Sequence, residues 1–274
     1  MAFEKAEVRI SAVPFFDRHL KLWMAFFRRI QRVLRRISEQ RTARKTAMEL
    51  GIFRYYCSEL SNLVTEPVFV KVGANDGVSD DPCSDILLND KQWRGLLIEP
   101  VPYCFERLKG NFRDLRRFSL EQVAVGTKAG TAIFYYVDPK IVDAQPRPYI
   151  PPWFNQLGSF NREHIIKHGI EAAFILEDTV QVCTLSSLIK KNGIREIHLL
   201  QIDTEGNDYE VLKSLDFTAQ TPLLIFVEHV HLPKDQKREM VDLLRRQGYF
   251  IRDCGRDYLA INKKAIRQLK RKIL

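Results

Sequence analysis

A chain of 274 residues with 45% hydrophobic and 28% charged residues can bury a full core, which excludes a disordered or fibrous protein. Its five cysteines are odd in number and scattered, with no CxxC pair or zinc-type spacing, which excludes a disulfide scaffold and suits a reducing cytoplasm. The net charge of +9 sits at the ends, because residues 18–45 carry ten Lys and Arg against Glu39 alone, Lys263–Lys272 carry six without an acid, and residues 46–262 sum to minus five, an acidic body that argues against a nucleic-acid groove.

Near the N-terminus, Leu20, Trp23, Phe27, Ile30, Leu34 and Ile37 recur at steps of three and four, with Arg28, Arg29, Arg32, Arg35 and Arg36 between them. That pattern predicts a basic amphipathic helix over residues 20–37, suited to an anionic membrane surface. The same stripe would equally serve packing on the chain's own domain or on another subunit. No run of about 18 apolar residues exists, and the basic, apolar and small-residue order of a signal peptide is missing, so the expectation is a cytoplasmic chain that at most touches a membrane peripherally. A second helical pattern, Thr46–Leu63, closes an N-terminal helical extension of residues 1–63.

From Pro67 on, short apolar runs alternate with helical stretches, the pattern of an α/β fold with a parallel sheet and crossover helices. Strands are predicted at Val68–Val72, Gly95–Ile98, Ser119–Val123, Ile197–Ile202 and Leu223–Glu228, followed by a hairpin of Tyr249–Arg252 and Tyr258–Ile261. Helices are predicted near Ser84–Asp90, Pro102–Asn111, Leu185–Lys191, Asp208–Leu215 and Asp235–Gln247. The domain spans residues 64–262, ahead of a basic tail, 263–274. Pro139, Pro146, Pro148, Pro151 and Pro152 break the rhythm within Asp138–Asp178 and prevent regular structure until about Asn161, so the stretch reads as a lid or substrate-selecting insertion carrying Trp153, Phe154, Phe160 and Arg162.

Two segments carry binding chemistry. Val68-Phe-Val-Lys-Val-Gly-Ala-Asn-Asp-Gly77 runs a buried strand into a glycine turn, where backbone can approach a ligand closely. Gly95-Leu-Leu-Ile-Glu-Pro100 ends the next strand in Glu99, a carboxylate placed to accept two ribose hydroxyls. The GxGxxG spacing of a dinucleotide loop is absent.

Together with Ala124–Gly126, Leu157–Phe160, LLQIDTEGNDYEVLKSL at Leu199–Leu215 and FVEH at Phe226–His229, these motifs make the chain similar to the FkbM family of methyltransferases over about Glu66–Asn262. The resemblance implies a class I, Rossmann-like, mostly parallel sheet of seven strands, S-adenosylmethionine as cofactor, and methylation of a hydroxyl on a sugar, lipid, lipid-linked or small-metabolite acceptor. It implies Gly73, Ala74, Asn75 and Gly77 around the methionine part, Glu99 on the ribose and Ala124 beside the adenine. Many members carry an acid where Lys71 stands, so Asp76, Asp81 or Asp203 must supply that acceptor here, and a binding module without turnover is the alternative reading.

An alcohol needs a base or a metal before it attacks a methyl group. Asp203 and Glu205 fall at one predicted strand end and Glu228 and His229 at the next, so His229 is expected as general base with Glu205 or Glu228 orienting it. The same acids suit a divalent cation. His231 and His198 are secondary candidates.

Overall fold

A computed structural model describes residues 51–263 apart from 80, 82, 114–115 and 144–149. The helix expected at Leu20–Ile37, the start of the second helix and the tail beyond residue 263 lie outside the described residues.

The strands, in chain order, are β1 (Val68–Val72), β2 (Arg94–Ile98), β3 (Phe118–Glu121), β4 (Ala124–Val125), β5 (Gly130–Val137), β6 (Gly158–Ser159), β7 (Ile175–Cys183), β8 (Leu199–Ile202), β9 (Leu224–Glu228), β10 (Tyr249–Asp253) and β11 (Asp257–Asn262). The helices are α1 (residues 51–63), α2 (Ser84–Asn89), α3 (Pro102–Asn111), α4 (Arg162–Lys167), α5 (Leu185–Lys191), α6 (Asp208–Lys213) and α7 (Lys234–Arg246).

Seven strands form the main sheet in the order β10-β11-β9-β8-β1-β2-β3. All neighbours in it are parallel except β11, which runs against both β9 and β10. This is the Rossmann-like sheet the motifs imply, closed at one edge by the predicted hairpin. Strands β1, β8 and β9 are buried along their whole length, which explains why their sequences read as continuous apolar runs and not as alternation. Val70, Val72, Leu200, Ile202, Ile225 and Val227 face one layer with α5, α6 and α7. Phe69, Leu97, Leu199 and Phe226 face the other, with α1 and α3. Chain order reverses beside β1, whose neighbours are β2 and β8, and such a switch point opens a crevice at the carboxyl ends of the strands.

Two expectations change. The body of the domain begins before residue 64, because Phe53, Cys57 and Leu60 of α1 are buried in the sheet's core. The Phe53 ring stacks on Phe226 at 4.4 Å, and Trp93 donates from its indole to Ser61 Oγ at 2.8 Å. The insertion regains regular helix at Arg162, in line with the limit expected near Asn161, but it is framed by a sheet that was not expected: β5 and β7 pair antiparallel from Gly130↔Val182 to Val137↔Ile175, within a second sheet ordered β4-β7-β5-β6. Pro139 and Pro151 fall in the loops between those strands, where no ladder bond is lost. No helix among the described residues is long and apolar enough to cross a membrane.

Candidate functional site

The crevice at the carboxyl ends of β1, β2 and β8 is a pocket whose walls include Gly73, Ala74 and Asn75 after β1, Glu99 after β2, Ala124 of β4, and Asp203 and Glu205 after β8. The second sheet and its insertion close the remaining side with Phe134, Gln156, Gly158 and Phe160. Six of the expected cofactor residues thus meet in one cavity.

The turn after β1 is shaped by contact with its neighbour. Gly73 has φ +80, and a Cβ there would lie 1.7 Å from the Asp203 carbonyl oxygen, so no side chain fits. Ile98 O accepts from both Gly73 N and Ala74 N at 3.0 Å, tying the turn to the end of β2. Asn75 is left-handed at φ 48, a conformation rare outside glycine that concentrates at ligand sites. Its amide Nδ2 and Oδ1 are buried without a partner, as is Gln201 Oε1 beneath the same pocket. Such orphaned groups are costly, and a polar ligand would satisfy them.

Glu99 accepts Asn75 N at 2.7 Å on Oε2 and Val101 N at 2.8 Å on Oε1. Burial pushes its carboxyl up to about 7 despite these two bonds. Each oxygen keeps a second lone pair for a ligand donor.

Two expected residues lie elsewhere. Asp76 turns away from the pocket and accepts Val78 N, Ser79 N and the Ser79 hydroxyl, which locks the loop. Burial would raise its carboxyl, but those bonds hold it below the ordinary range. Gly77 is small because Phe112 stands 2.4 Å from where its Cβ would be, a packing demand and not a ligand contact. Lys71 is buried and pairs with buried Asp81 at 2.5 Å. Burial acts to lower that ammonium, and the neighbouring Asp81, Cys83 and Asp203 outweigh it and raise it. Asp81 is therefore spent on Lys71 and Asp76 on its own loop, which leaves Asp203 among the three acceptors considered.

At the outer side of the pocket, Asp203, Glu205 and Glu228 bring carboxylate oxygens within 4.8 Å of one another, as the adjacent strand ends predict. Burial, followed by the charges of Glu205, Asp208 and Asp257, pushes Asp203 well above the carboxylate range. Burial and then Asp203, Glu205 and Asp208 push Glu228 up to about 10, although Arg256 donates to its Oε1 at 2.8 Å. Three acids this close do not all ionise unless a cation joins them.

Glu205 is the exception. Burial works to raise it, but the hydrogen bond from His164 and the nearby His231 hold it low. Its backbone is left-handed at φ 53, in a turn clamped by Asp208, whose carboxylate accepts Thr204 N, Thr204 Oγ1 and Gly206 N.

The fourth member of the expected mouth is corrected. His229 does not line the pocket; its ring stacks on Tyr258 at 3.8 Å, and its Nε2 stands 3.8 Å from Asp253. Glu228 is the last residue of β9 and its carboxyl faces the acids, whereas His229 follows the strand and its ring lies against Tyr258. His231 takes that place, 3.3 Å from Glu205 and 3.8 Å from Glu228. His198 is structural, with Nδ1 accepting Val68 N at 3.1 Å.

With this pocket in view, the similarity to known proteins is decisive. The methyltransferase FkbM domain model matches residues 71–251, well over half of the chain. The chain belongs to the FkbM methyltransferase family. Methyl transfer is thus its activity, with S-adenosylmethionine as the general donor for this fold. Methyltransferase sdnD of Sordaria araneosa is 27% identical over 218 residues, which take in 73% of this chain and 80% of that one. Among solved structures, the human methyltransferase 10 domain containing protein is similar with 12% identity, a TM-score of 0.40 and coverage of 78% of this chain and 81% of that one. Precorrin-6y C5,15-methyltransferase of Geobacter metallireducens GS-15 gives 12% identity, a TM-score of 0.35 and coverage of 73% and 71%.

Two histidines that the sequence reading did not single out stand beside Glu205 and His231. His164 and His168 sit one turn apart on the insertion, where the Asn161 side chain accepts Glu163 N and starts α4. His164 Nε2 lies 2.9 Å from Glu205 Oε2, and His168 packs against His164 and Trp153. The HxxxH spacing of His164 and His168 was the available signal. Of the residues expected to select the acceptor, Phe160 lines the pocket, while Arg162 donates to Ala172 O and braces the insertion.

Proposed function

We propose that this chain is an S-adenosylmethionine-dependent O-methyltransferase acting on a hydroxyl of a sugar, lipid or small metabolite. The observation that carries the reading is the continuity of one pocket from the Gly73–Asn75 turn and Glu99 to the polar mouth at Glu205. S-adenosylmethionine supplies an electrophilic methyl group on a sulfonium sulfur. In this reading Glu99 accepts from the ribose hydroxyls, Ala124 borders the adenine, and the unpartnered amide of Asn75 binds the amino-acid end. Asp203 stands in for the acid that many relatives carry where Lys71 lies. The surplus of carboxyl groups around Asp203 suits a ligand with two positive centres. At the mouth, Glu205 with His164 and His231 polarises the acceptor hydroxyl and receives its proton. His229, facing Tyr258, has no part in the reaction.

Glu99→Ala is expected to weaken S-adenosylmethionine binding by about 1–3 kcal/mol, the cost of losing a charged hydrogen-bond partner. Because the Glu99 carboxyl titrates near 7 and only its ionised form accepts from both hydroxyls, affinity falls as pH drops through that value. Glu99→Gln should flatten that pH profile. Calorimetry from pH 5.5 to 8.5 reads both effects, and an unchanged profile in Glu99→Gln removes Glu99 from the ribose site.

Incubating the protein with methyl-labelled cofactor and cell extract, then identifying labelled products by mass spectrometry, tests the activity. A methyl ether on a hydroxylated product supports the reading. Tight cofactor binding with no transfer to any fraction supports a binding module instead.

A further inference from the structure

We propose that His164, His168, His231 and Glu205 form a binding site for one divalent transition metal of the zinc class, at the mouth of the cofactor pocket. One ligand atom from each of the four lies within 4.8 Å of the others. Glu205 Oε2 is 2.9 Å from His164 Nε2 and 3.3 Å from His231 Nε2. The three imidazole rings meet with centroids 4.8 Å apart for His164–His168, 4.8 Å for His164–His231 and 5.5 Å for His168–His231. In a tetrahedral zinc site with bonds of about 2.0–2.1 Å, ligand atoms stand roughly 3.3 Å apart, so small side-chain rotations close this set around an ion.

Two further observations favour a metal over a hydrogen-bonded cluster. Three imidazole rings and the Glu205 carboxylate converge on one point, and ring nitrogens offer lone pairs that a cation satisfies together. The elements are also placed for it. His164 and His168 lie one turn apart on the α4 segment, and Glu205 is held in a left-handed turn clamped by Asp208, strain that concentrates at functional sites. Three nitrogen donors and one oxygen select zinc, cobalt, nickel or iron over magnesium and calcium. The neighbouring set of Asp203, Glu205 and Glu228 offers oxygens alone, and Arg256 already engages Glu228 Oε1.

The ion would join the insertion to the turn after β8 and lie where Glu205 meets the pocket. Its consequence, which rests on the proposed function, is that the acceptor hydroxyl adds to the ion as a fifth ligand and, made more acidic there, releases its proton to bulk water in place of the transfer to Glu205, whose oxygen the ion then holds.

The test uses the full chain, stripped with a chelator and titrated with zinc chloride by calorimetry, in parallel with cobalt chloride followed by visible absorption. One ion per chain and a tetrahedral cobalt spectrum are expected. His164→Ala and His168→Gln should each lower zinc affinity by more than the roughly 10–100-fold typical of losing an outer-shell partner. Both residues lie outside the pocket walls, so S-adenosylmethionine binding, measured in the same samples, should persist and certify the fold. Absence of stoichiometric zinc, or zinc affinity indifferent to both substitutions, overturns the site. Zinc binding intact in a wild-type chain that binds no S-adenosylmethionine supports the metal site and overturns the proposed function.

Discussion

Lys71→Met is expected to lower the stability of the domain by about 3–5 kcal/mol, the cost of leaving one partner of a buried ion pair alone. Lys71 and Asp81 expose only 4% of their side chains each, so water cannot replace the lost ammonium. The stranded carboxylate would lie in the region where Asp203 is already forced upward by burial and neighbouring acids, which aggravates the loss. The double substitution Lys71→Met with Asp81→Leu should recover most of it, because apolar pairs of similar volume often match buried ion pairs. Lys71→Asp should be the worst of the series, since it sets two carboxylates against each other. Urea unfolding followed by circular dichroism gives the order. If Lys71→Met unfolds at the wild-type midpoint, the pair contributes nothing.

Much of this fold was legible because parallel strands buried on both faces announce themselves as apolar runs. Pro102–Asn111 and Leu185–Lys191 were legible as helices for the opposite reason, their apolar residues recurring with the helical period. The second sheet is masked in the sequence: Gly130–Val137 is rich in aromatic and β-branched residues, but the prolines that follow signal irregular structure. Pro139 and Pro151 sit in the connections and leave the ladder intact. In the site, Gly73 and Glu99 followed from spacing alone, since each ends a strand at the switch point. The roles of Asp76 and Gly77 did not, because hydrogen bonds to Ser79 and the approach of Phe112 are made by residues distant in pattern or in chain. His229 and His231 differ by two positions, and the turn that follows β9 brings His231 and not His229 to Glu205. Nothing in the one-dimensional pattern carries α4 to the turn after β8; only the β5–β7 pairing does.

Gly73→Ala is expected to abolish S-adenosylmethionine binding and to destabilise the domain by more than the order of 1–3 kcal/mol that a left-handed non-glycine residue costs. Two effects combine at this position. The φ of +80 disfavours any L side chain, and the new methyl would sit 1.7 Å from the Asp203 carbonyl oxygen and 2.8 Å from its carbon. The obstacle is backbone, so no rotamer change relieves it. Relief requires the turn after β1 to part from the end of β8, where Asp203 N donates to Val72 O at 3.0 Å. That movement displaces Asn75 from the pocket on one side and Asp203 and Glu205 on the other, so cofactor contacts and the polar mouth fail together. Gly110→Ala in α3 provides the control, since its Cβ meets nothing within 4 Å and its backbone is helical. It should stabilise by roughly 0.5–1 kcal/mol through reduced freedom of the unfolded chain. Thermal unfolding and calorimetry with S-adenosylmethionine compare the two variants. Normal affinity in a folded Gly73→Ala protein would place the cofactor away from this turn, and with it the assignment of Asn75 and Asp203.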